Sequence, residues 1–257
     1  MSITGAPTVA VSTRSCDGAS AIGQDEAHAW IVDLDEPVVR PESVLDDAER
    51  DRARRYLSPQ DGARFAVSRA AARLILASYL GCDPARLQFG TDPAGRPTLA
   101  RATAGRSASQ CRAVGGRARP ASLDFSLARS GGLAVVAVSA RPVGADIERI
   151  TARAGLADLA AARFAVRERA CIAGGCHGSR LRGFYVHWTV KEAYLKAIGI
   201  GLAGLRCAEL SCKPSPVLWY LGEPAVDWTL SLIDVSAAHV AAVVATRPVT
   251  ACCRLAP

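Results

Sequence analysis

Two stretches of this chain nearly repeat each other. LAVVAVSARPVGAD (133–146) and VAAVVATRPVTACC (240–253) each run an apolar strand into Arg-Pro-Val, and their Arg-Pro pairs lie 106 residues apart in a chain of 257. Apolar runs of this length read as strands, and proline ends their pairing because it has no amide hydrogen to donate. A repeat at close to half the chain length predicts two similar α/β halves, joined near residues 141–144. Around the repeats, SVLDDAERDRARRY (43–56) reads as a charged helix stopped by Ser58-Pro59. Asp61 then opens a second helix, which ends at Gly81. Further helices are expected over 155–173 and about 180–198, with strands over 28–34, near Leu99, over 123–127 and over 133–138. The expected division is a flexible tail (1–25), an N-terminal half (26–142) and a C-terminal half (143–257). Residues 101–120, with five Arg and almost no bulky apolar side chain, read as a flexible basic loop within the first half.

Half of the residues are hydrophobic and about a fifth are charged, which excludes disorder throughout. No apolar run reaches the roughly 18–20 residues needed to cross a bilayer. The first residues lack the basic start and apolar stretch of a secretory signal. A soluble, cytoplasmic protein is expected. Nine cysteines, an odd number scattered along such a chain, are expected to be reduced thiols. Cys171 and Cys176 precede His177, but without C-x2-C spacing or a second ligand pair they read as small core residues rather than a metal cluster. The net charge of +7 is uneven: −7 over residues 1–50, +9 over 51–150 and +5 over 151–257. An Arg-rich middle suits an anionic partner, whether phosphate, nucleic acid or acidic protein.

Three carboxylates and two lysines carry the candidate chemistry. Asp146 and Glu148 follow the first apolar strand, and in extended chain residues i and i+2 share a face while Ile147 packs behind. Such a pair suits Mg²⁺, which takes one or two carboxylates plus waters and phosphate; it equally suits a solvated strand end. Of 31 basic residues only Lys191, Lys196 and Lys213 are lysines, and two of them fall within six positions. A rotatable ammonium is not equivalent to a planar guanidinium, so this segment reads as one that needs lysine, unless the clustering is chance. Glu192 lies one helical turn before Lys196. That spacing fits an ordinary i,i+4 ion pair, a capping box with Thr189, or a site.

Taken together, VGADIE (143–148) and WTVKEAYLKAIGIGL (188–202) resemble the two signature motifs of the Sfp-type 4′-phosphopantetheinyl transferases, in the right order and about 40 residues apart. Arg163-Phe164 with Glu168 is similar to the family's R-F-F-x-x-x-E stretch, Gly95-Arg96-Pro97 to its G-[K/R]-P turn, and FSLARSG (125–131) to its F-N-[I/L]-S-H-[S/T]-G segment. The resemblance covers roughly residues 45–250. It implies an α+β fold of two halves related by pseudo-twofold symmetry, with the active site in the cleft between them. It also implies transfer of phosphopantetheine from coenzyme A to a serine of an acyl or peptidyl carrier protein, releasing adenosine 3′,5′-bisphosphate.

On this resemblance Asp146, Glu148 and Glu192 would hold Mg²⁺, with Mn²⁺ as an alternative. Glu192, or a metal-bound water that it orients, would serve as base and Lys196 as charge stabiliser or proton source. Arg52, Arg64, Arg96, Arg129, Lys191 and Lys196 would bind coenzyme A phosphates, while Arg69 and Arg73 would be structural or face the carrier. Trp188 would hold its helix against the other half. One departure stands out: Ala128-Arg129 occupies the family's Ser-His, and Ser126 its Asn. A permanent guanidinium in place of a titrating imidazole implies retained coenzyme A binding with weaker pH dependence. The W-x-x-K-E-A form is similar to the secondary-metabolism branch, implying polyketide or nonribosomal-peptide carriers. These are acidic proteins that the basic loop would steer. A monomer is expected, since both halves are in one chain. Two other readings compete: a relative that binds carriers with weakened catalysis, suggested by Ala128-Arg129, and a nucleic-acid-binding protein. The second lacks interleaved aromatics and any reader motif.

Overall fold

The computed structural model describes residues 22–36, 40–100, 123–175, 177–211 and 216–255. The expected basic loop 101–120 and most of the tail 1–25 lie outside them. The first sheet has the order β12-β1-β5-β4, built from β1 (Ala27–Asp33), β4 (Asp124–Ser130), β5 (Leu133–Ser139) and β12 (Val249–Leu255). The second has the order β10-β11-β6, from β6 (Val143–Arg149), β10 (Thr229–Ile233) and β11 (His239–Ala245). Two smaller sheets are β2 (Phe89–Thr91) with β3 (Pro97–Leu99), and β7 (Ala208–Ser211), β8 (Val217–Tyr220) and β9 (Glu223–Pro224). Among the described residues five α-helices complete an α+β fold: α1 (Asp47–Arg54), α2 (Pro59–Leu80), α3 (Leu156–Arg163), α4 (Val166–Ala173) and α5 (Arg180–Ala197). Among the described residues no helix is long and apolar enough to cross a membrane.

The repeated Arg-Pro-Val segments are crossovers. The first carries the chain from β5 in the first sheet to β6 in the second; the other carries it from β11 in the second sheet to β12 in the first. Each sheet therefore contains a strand delivered by the other, and the last strand of the expected C-terminal half pairs with β1 of the N-terminal half.

Strand alternation sorts the core into layers. Ala29, Ile31, Val135 and Ala137 of the first sheet meet Ala145, Ile147, Ala241 and Val243 of the second. The intervening residues of the first sheet, Trp30, Val32, Val136 and Val138, pack against α2. Val240, Ala242 and Val244 of the second pack against α5. The order is helix, sheet, sheet, helix.

Several local expectations change. The first helix starts at Asp47 rather than Ser43, because Asp46 caps it in a box with Glu49. Ser58-Pro59 begins α2 instead of ending α1: Ser58 accepts the Asp61 amide and proline takes the first turn. Gly81 ends α2 in a left-handed conformation (φ 60°) as expected. The helix expected over 155–173 breaks into α3 and α4 at Phe164-Ala165, where Glu168 accepts the Ala165 amide. Cysteine chemistry also differs. Cys207 and Cys252 are free thiols, but Cys171 and Cys253 are disulfide-bonded, since spacing along the chain does not show which sulfurs the fold brings together.

The two sheets meet along β4 and β6, and the opposite face of β6 lies under α5. Ser126 Oγ on β4 donates to the Ala145 carbonyl at 3.4 Å. At Gly144 the strand touches the helix so closely that a Cβ would lie 1.9 Å from the Ala193 carbonyl oxygen and 2.5 Å from the Ala197 nitrogen. Gly144→Ala is expected to force β6 and α5 apart and cost about 1–3 kcal/mol, read as a lowered urea midpoint with an unchanged m-value.

Candidate active site

β6 alternates as its sequence predicts: Val143, Ala145 and Ile147 enter the layer between the sheets, which leaves Gly144, Asp146 and Glu148 on the face toward α5. From α5 come Glu192 and Lys196, one turn apart. Lys196 Nζ donates to Asp146 Oδ1 at 2.5 Å and lies 3.5 Å from Glu192 Oε2. Glu148 Oε2 accepts from Ser130 Oγ at 3.0 Å. Asp146 is buried, at 3 % exposure, and its Oδ2 has no hydrogen-bond partner among the described residues.

Three carboxylates against one ammonium leave a negative excess in a partly desolvated place. Burial pushes the Asp146 carboxyl up to about 8; Lys196 opposes this, while Glu192 and Glu148 add to it. Burial raises Glu148 as well, against the Ser130 hydrogen bond. Burial works against the Lys196 charge, but Asp146 and Glu192 prevail and hold its pKa above the ordinary lysine value. An unsatisfied buried carboxylate oxygen beside two further carboxylates is a donor set that suits a hard divalent cation.

Two adjoining cavities open beside this cluster. The first, about 280 Å³, is lined by Asp92, Arg96, Glu192, Lys196 and the Gly199–Leu202 turn. The second, about 300 Å³, is lined by Arg52, Arg69, Phe65, Phe89 and Arg129. Gly95, Pro97 and Leu127 border both, making one cleft with an acidic end and a basic end.

The expected arginines divide by geometry. Arg129 donates to Tyr56 Oη at 2.7 Å and lies over the Tyr56 and Phe65 rings at 5.2 and 5.6 Å. Arg52 is exposed and lies 5.2 Å from the Phe65 ring. Both reach the basic cavity. Arg64 is not among its lining residues; it forms a bidentate pair with Asp35 at 2.8 and 2.7 Å. Arg96 borders the acidic cavity but is engaged with Asp92, Asp124 and the Val143 carbonyl. Asp124 also accepts the Val143 amide at 2.9 Å, so this pair fixes the start of β6. Arg73 is fully buried on Asp46, Glu49 and two carbonyls, a structural role, whereas Arg69 pairs with Glu49 and faces the basic cavity.

Lys191 requires a correction. It is fully buried, away from the cleft: its ammonium donates to Glu168 Oε2 at 2.9 Å and to the Arg163 carbonyl at 3.0 Å. Glu168 also accepts the Ala165 and Leu210 amides, so the pair binds α3, α4, α5 and β7 together. Neighbouring helical residues point about 100° apart, and Lys191 faces the core while Glu192 faces the cleft. Trp188 is corrected too: it stacks on Phe184 (6.0 Å, 15°), inside the second core rather than against the first half. Sequence reasoning missed Asp124, Ser130 and Tyr56, and it read Arg69 as structural or carrier-facing, where the structure pairs it with Glu49 at the edge of the basic cavity. Only Ser130 carried a signal, lying inside the FSLARSG segment.

Residues 142–244 match the sequence profile of the ACPS family, described as the 4′-phosphopantetheinyl transferase superfamily. The chain is 32% identical over 195 residues to the 4′-phosphopantetheinyl transferase HetI of Nostoc sp., covering 74% of this chain and 76% of that protein. It is 32% identical over 177 residues to a putative 4′-phosphopantetheinyl transferase of Synechocystis sp., covering 68% and 65% of the two chains. A Bacillus subtilis 4′-phosphopantetheinyl transferase is 27% identical over 157 residues, 60% of each chain. The matches thus span under two thirds of the length of the latter two relatives.

Lys191→Met is expected to strand the Glu168 charge and cost about 3–5 kcal/mol of stability. Protein that remains folded should keep its KM for coenzyme A, as measured by steady-state kinetics below the lowered Tm. A selective rise in KM without loss of Tm would return Lys191 to the binding site.

Proposed function

The chain belongs to the 4′-phosphopantetheinyl transferase superfamily, and on that premise we propose that its cleft transfers phosphopantetheine from coenzyme A to a serine of an apo carrier protein. The observation that carries this reading is a cleft lined at one end by Glu192 and Lys196, with Asp146 on the Lys196 ammonium and Glu148 beside them on β6, and at the other end by Arg52 and Arg129. In the reaction the serine oxygen attacks the phosphorus that bears pantetheine. The bond from that phosphorus to the bridging oxygen breaks, and adenosine 3′,5′-bisphosphate leaves.

Arg52 and Arg129 anchor phosphate at the basic end, where stacking on Tyr56 and Phe65 fixes the guanidinium planes. Arg69 contributes less, because Glu49 already neutralises it. Glu192 accepts the serine proton. Lys196 remains cationic through the working pH range and opposes charge developing on the phosphate oxygens. Asp146, Glu148 and Glu192 would hold Mg²⁺ or Mn²⁺, which when bound supplies further positive charge beside the pyrophosphate. Arg64 and Arg96 act as struts in this reading, not as phosphate ligands. The proposed carriers are acidic acyl or peptidyl carrier proteins of polyketide or nonribosomal-peptide synthesis, attracted by the net charge of +7. The proposed setting is the cytoplasm, with the chain acting as a monomer.

Intact-mass spectrometry of an apo carrier protein incubated with this protein, coenzyme A and Mg²⁺ tests the reading. A gain of one phosphopantetheine is expected, abolished by EDTA and reduced at least about a hundredfold in rate by Glu192→Gln. No gain on any of several acyl and peptidyl carriers would favour a carrier-binding relative with weakened catalysis.

The metal assignment has its own signature. In metal-free protein the folded state keeps the Asp146 proton that the unfolded chain releases above about pH 4. Stability should therefore fall as pH rises from about 4 toward 8. Carboxylates bind the ion only when deprotonated. The rise in Tm on adding Mg²⁺ is expected to be larger at about pH 8 than at about pH 6 by scanning fluorimetry, and absent in Asp146→Asn.

A further inference from the structure

Away from the cleft, three side chains from two successive helices and the connection between them converge. Cys171 lies on α4, His177 on the connection after it, and His187 on α5; their metal-ligating atoms all lie within 4.8 Å of one another. His187 is fully buried, and the two imidazole rings meet edge-on at 5.5 Å and 74°. The cluster is separate from the carboxylates. His187 precedes Glu192 by five residues, about 7 Å along the helix and roughly 140° around it. We propose that Cys171, His177 and His187 form a Zn²⁺ site, competent only when Cys171 is reduced, that fastens α4 and its following connection to the helix carrying Glu192 and Lys196.

The donor set selects the metal. One thiolate and two imidazoles suit Zn²⁺ and disfavour Mg²⁺ or Ca²⁺, which take oxygen. Zinc bonds of about 2.0–2.1 Å to nitrogen and about 2.3 Å to sulfur place tetrahedral neighbours roughly 3.3–3.8 Å apart, so the site closes with about 1 Å of side-chain movement. One His187 ring nitrogen is already held. Its Nδ1 lies 2.8 Å from the Gly183 carbonyl, which can only accept, so Nδ1 carries the hydrogen and the lone pair is on Nε2. A backbone carbonyl holding one ring nitrogen while the other meets metal is the usual support of a ligating histidine. Desolvation lowers both histidine pKa values, that of His177 to about 4, which keeps the rings in the neutral form that ligates. Three donors come from the described residues.

In the structure Cys171 is disulfide-bonded and cannot serve as a thiolate. A dithiol reductant opens the site: its two sulfurs join as a disulfide, its two hydrogens pass to Cys171 and the partner cysteine, and the S–S bond between them breaks. Zn²⁺ then displaces the Cys171 proton. The reverse exchange with an oxidised dithiol re-forms the bond and releases the ion, which makes the clamp redox-dependent.

Co²⁺ is the probe. The full chain is reduced with a dithiol, desalted without air and titrated with Co²⁺, alongside a sample left oxidised. The reduced protein should show thiolate-to-cobalt charge transfer and four-coordinate visible bands that saturate at one equivalent and are bleached by Zn²⁺. The oxidised protein should show neither. Asp146→Asn should keep the bands, which separates them from any ion at the carboxylates. Cys171→Ser and His177→Ala, changed at half-buried positions, should each lose the charge-transfer bands or the four-coordinate bands and weaken Zn²⁺ binding at least about tenfold. Absence of the bands from reduced wild-type protein, or their persistence in both variants, would overturn the proposal.

Discussion

At Gly144 strand β6 and helix α5 meet with no space for a side chain, and the chemistry depends on that contact. Strand β6 has one face against the other sheet, where Val143, Ala145 and Ile147 are held by small apolar residues. Its other face lies directly beneath α5, with no room for even a methyl group at Gly144. Two residues along, that spacing lets Asp146 reach Lys196 at 2.5 Å. A wider gap between strand and helix would break the carboxylate–lysine cluster while leaving both elements intact. Arg96 and Asp124 fix the beginning of β6, and Ser126 and Ser130 tie its length to β4. The Glu168–Lys191 pair secures the buried side of α5 in the same way. Much of the polar network outside the cluster serves to hold this one strand against this one helix.

What the sequence made legible follows from periodicity. Asp146 and Glu148 alternate with Ile147, and Glu192 and Lys196 are one turn apart, so both pairs could be placed on a face before any tertiary structure was known. The two Arg-Pro-Val segments announced a repeated unit, and the crossovers are where it begins and ends. Strands pass between the two sheets at both crossovers, from β5 to β6 and from β11 to β12. Lys191 was misread because a motif names residues without saying which way each one points. It sits between the cleft-facing Glu192 and the core, and its partner Glu168 is 23 residues away.

Long-range partners were out of reach for the same reason. Nothing local marks Tyr56 as the support of Arg129, 73 residues later, or Asp124 as the brace for Arg96 and Val143. The break between α3 and α4 has neither proline nor glycine to signal it; a side chain three residues further on, Glu168, caps the new helix. His187 reads as one more residue in a core helix, and only folding brings it beside Cys171 and His177. Arginine was the least informative residue type. In a chain with 28 of them, some grip carboxylates, some lie over aromatic rings and some line the cleft, and composition cannot separate these uses.

The exchange of strands also governs how such a chain comes together. β1 is hydrogen-bonded to β5 on one side and to β12 on the other, and the pairing of Ala29 with Cys252 joins residues more than two hundred positions apart. Closing so long a loop is slow to happen, and parallel pairing gains nothing until it is done. During synthesis the sheet nearest the amino end would wait, with one side of β1 bare, until the residues of β12 had left the ribosome. An unpaired apolar edge is a template for another chain. The crossovers that interlock the finished halves thus make completion of the first sheet wait for β12, and they leave one side of β1 bare until it arrives.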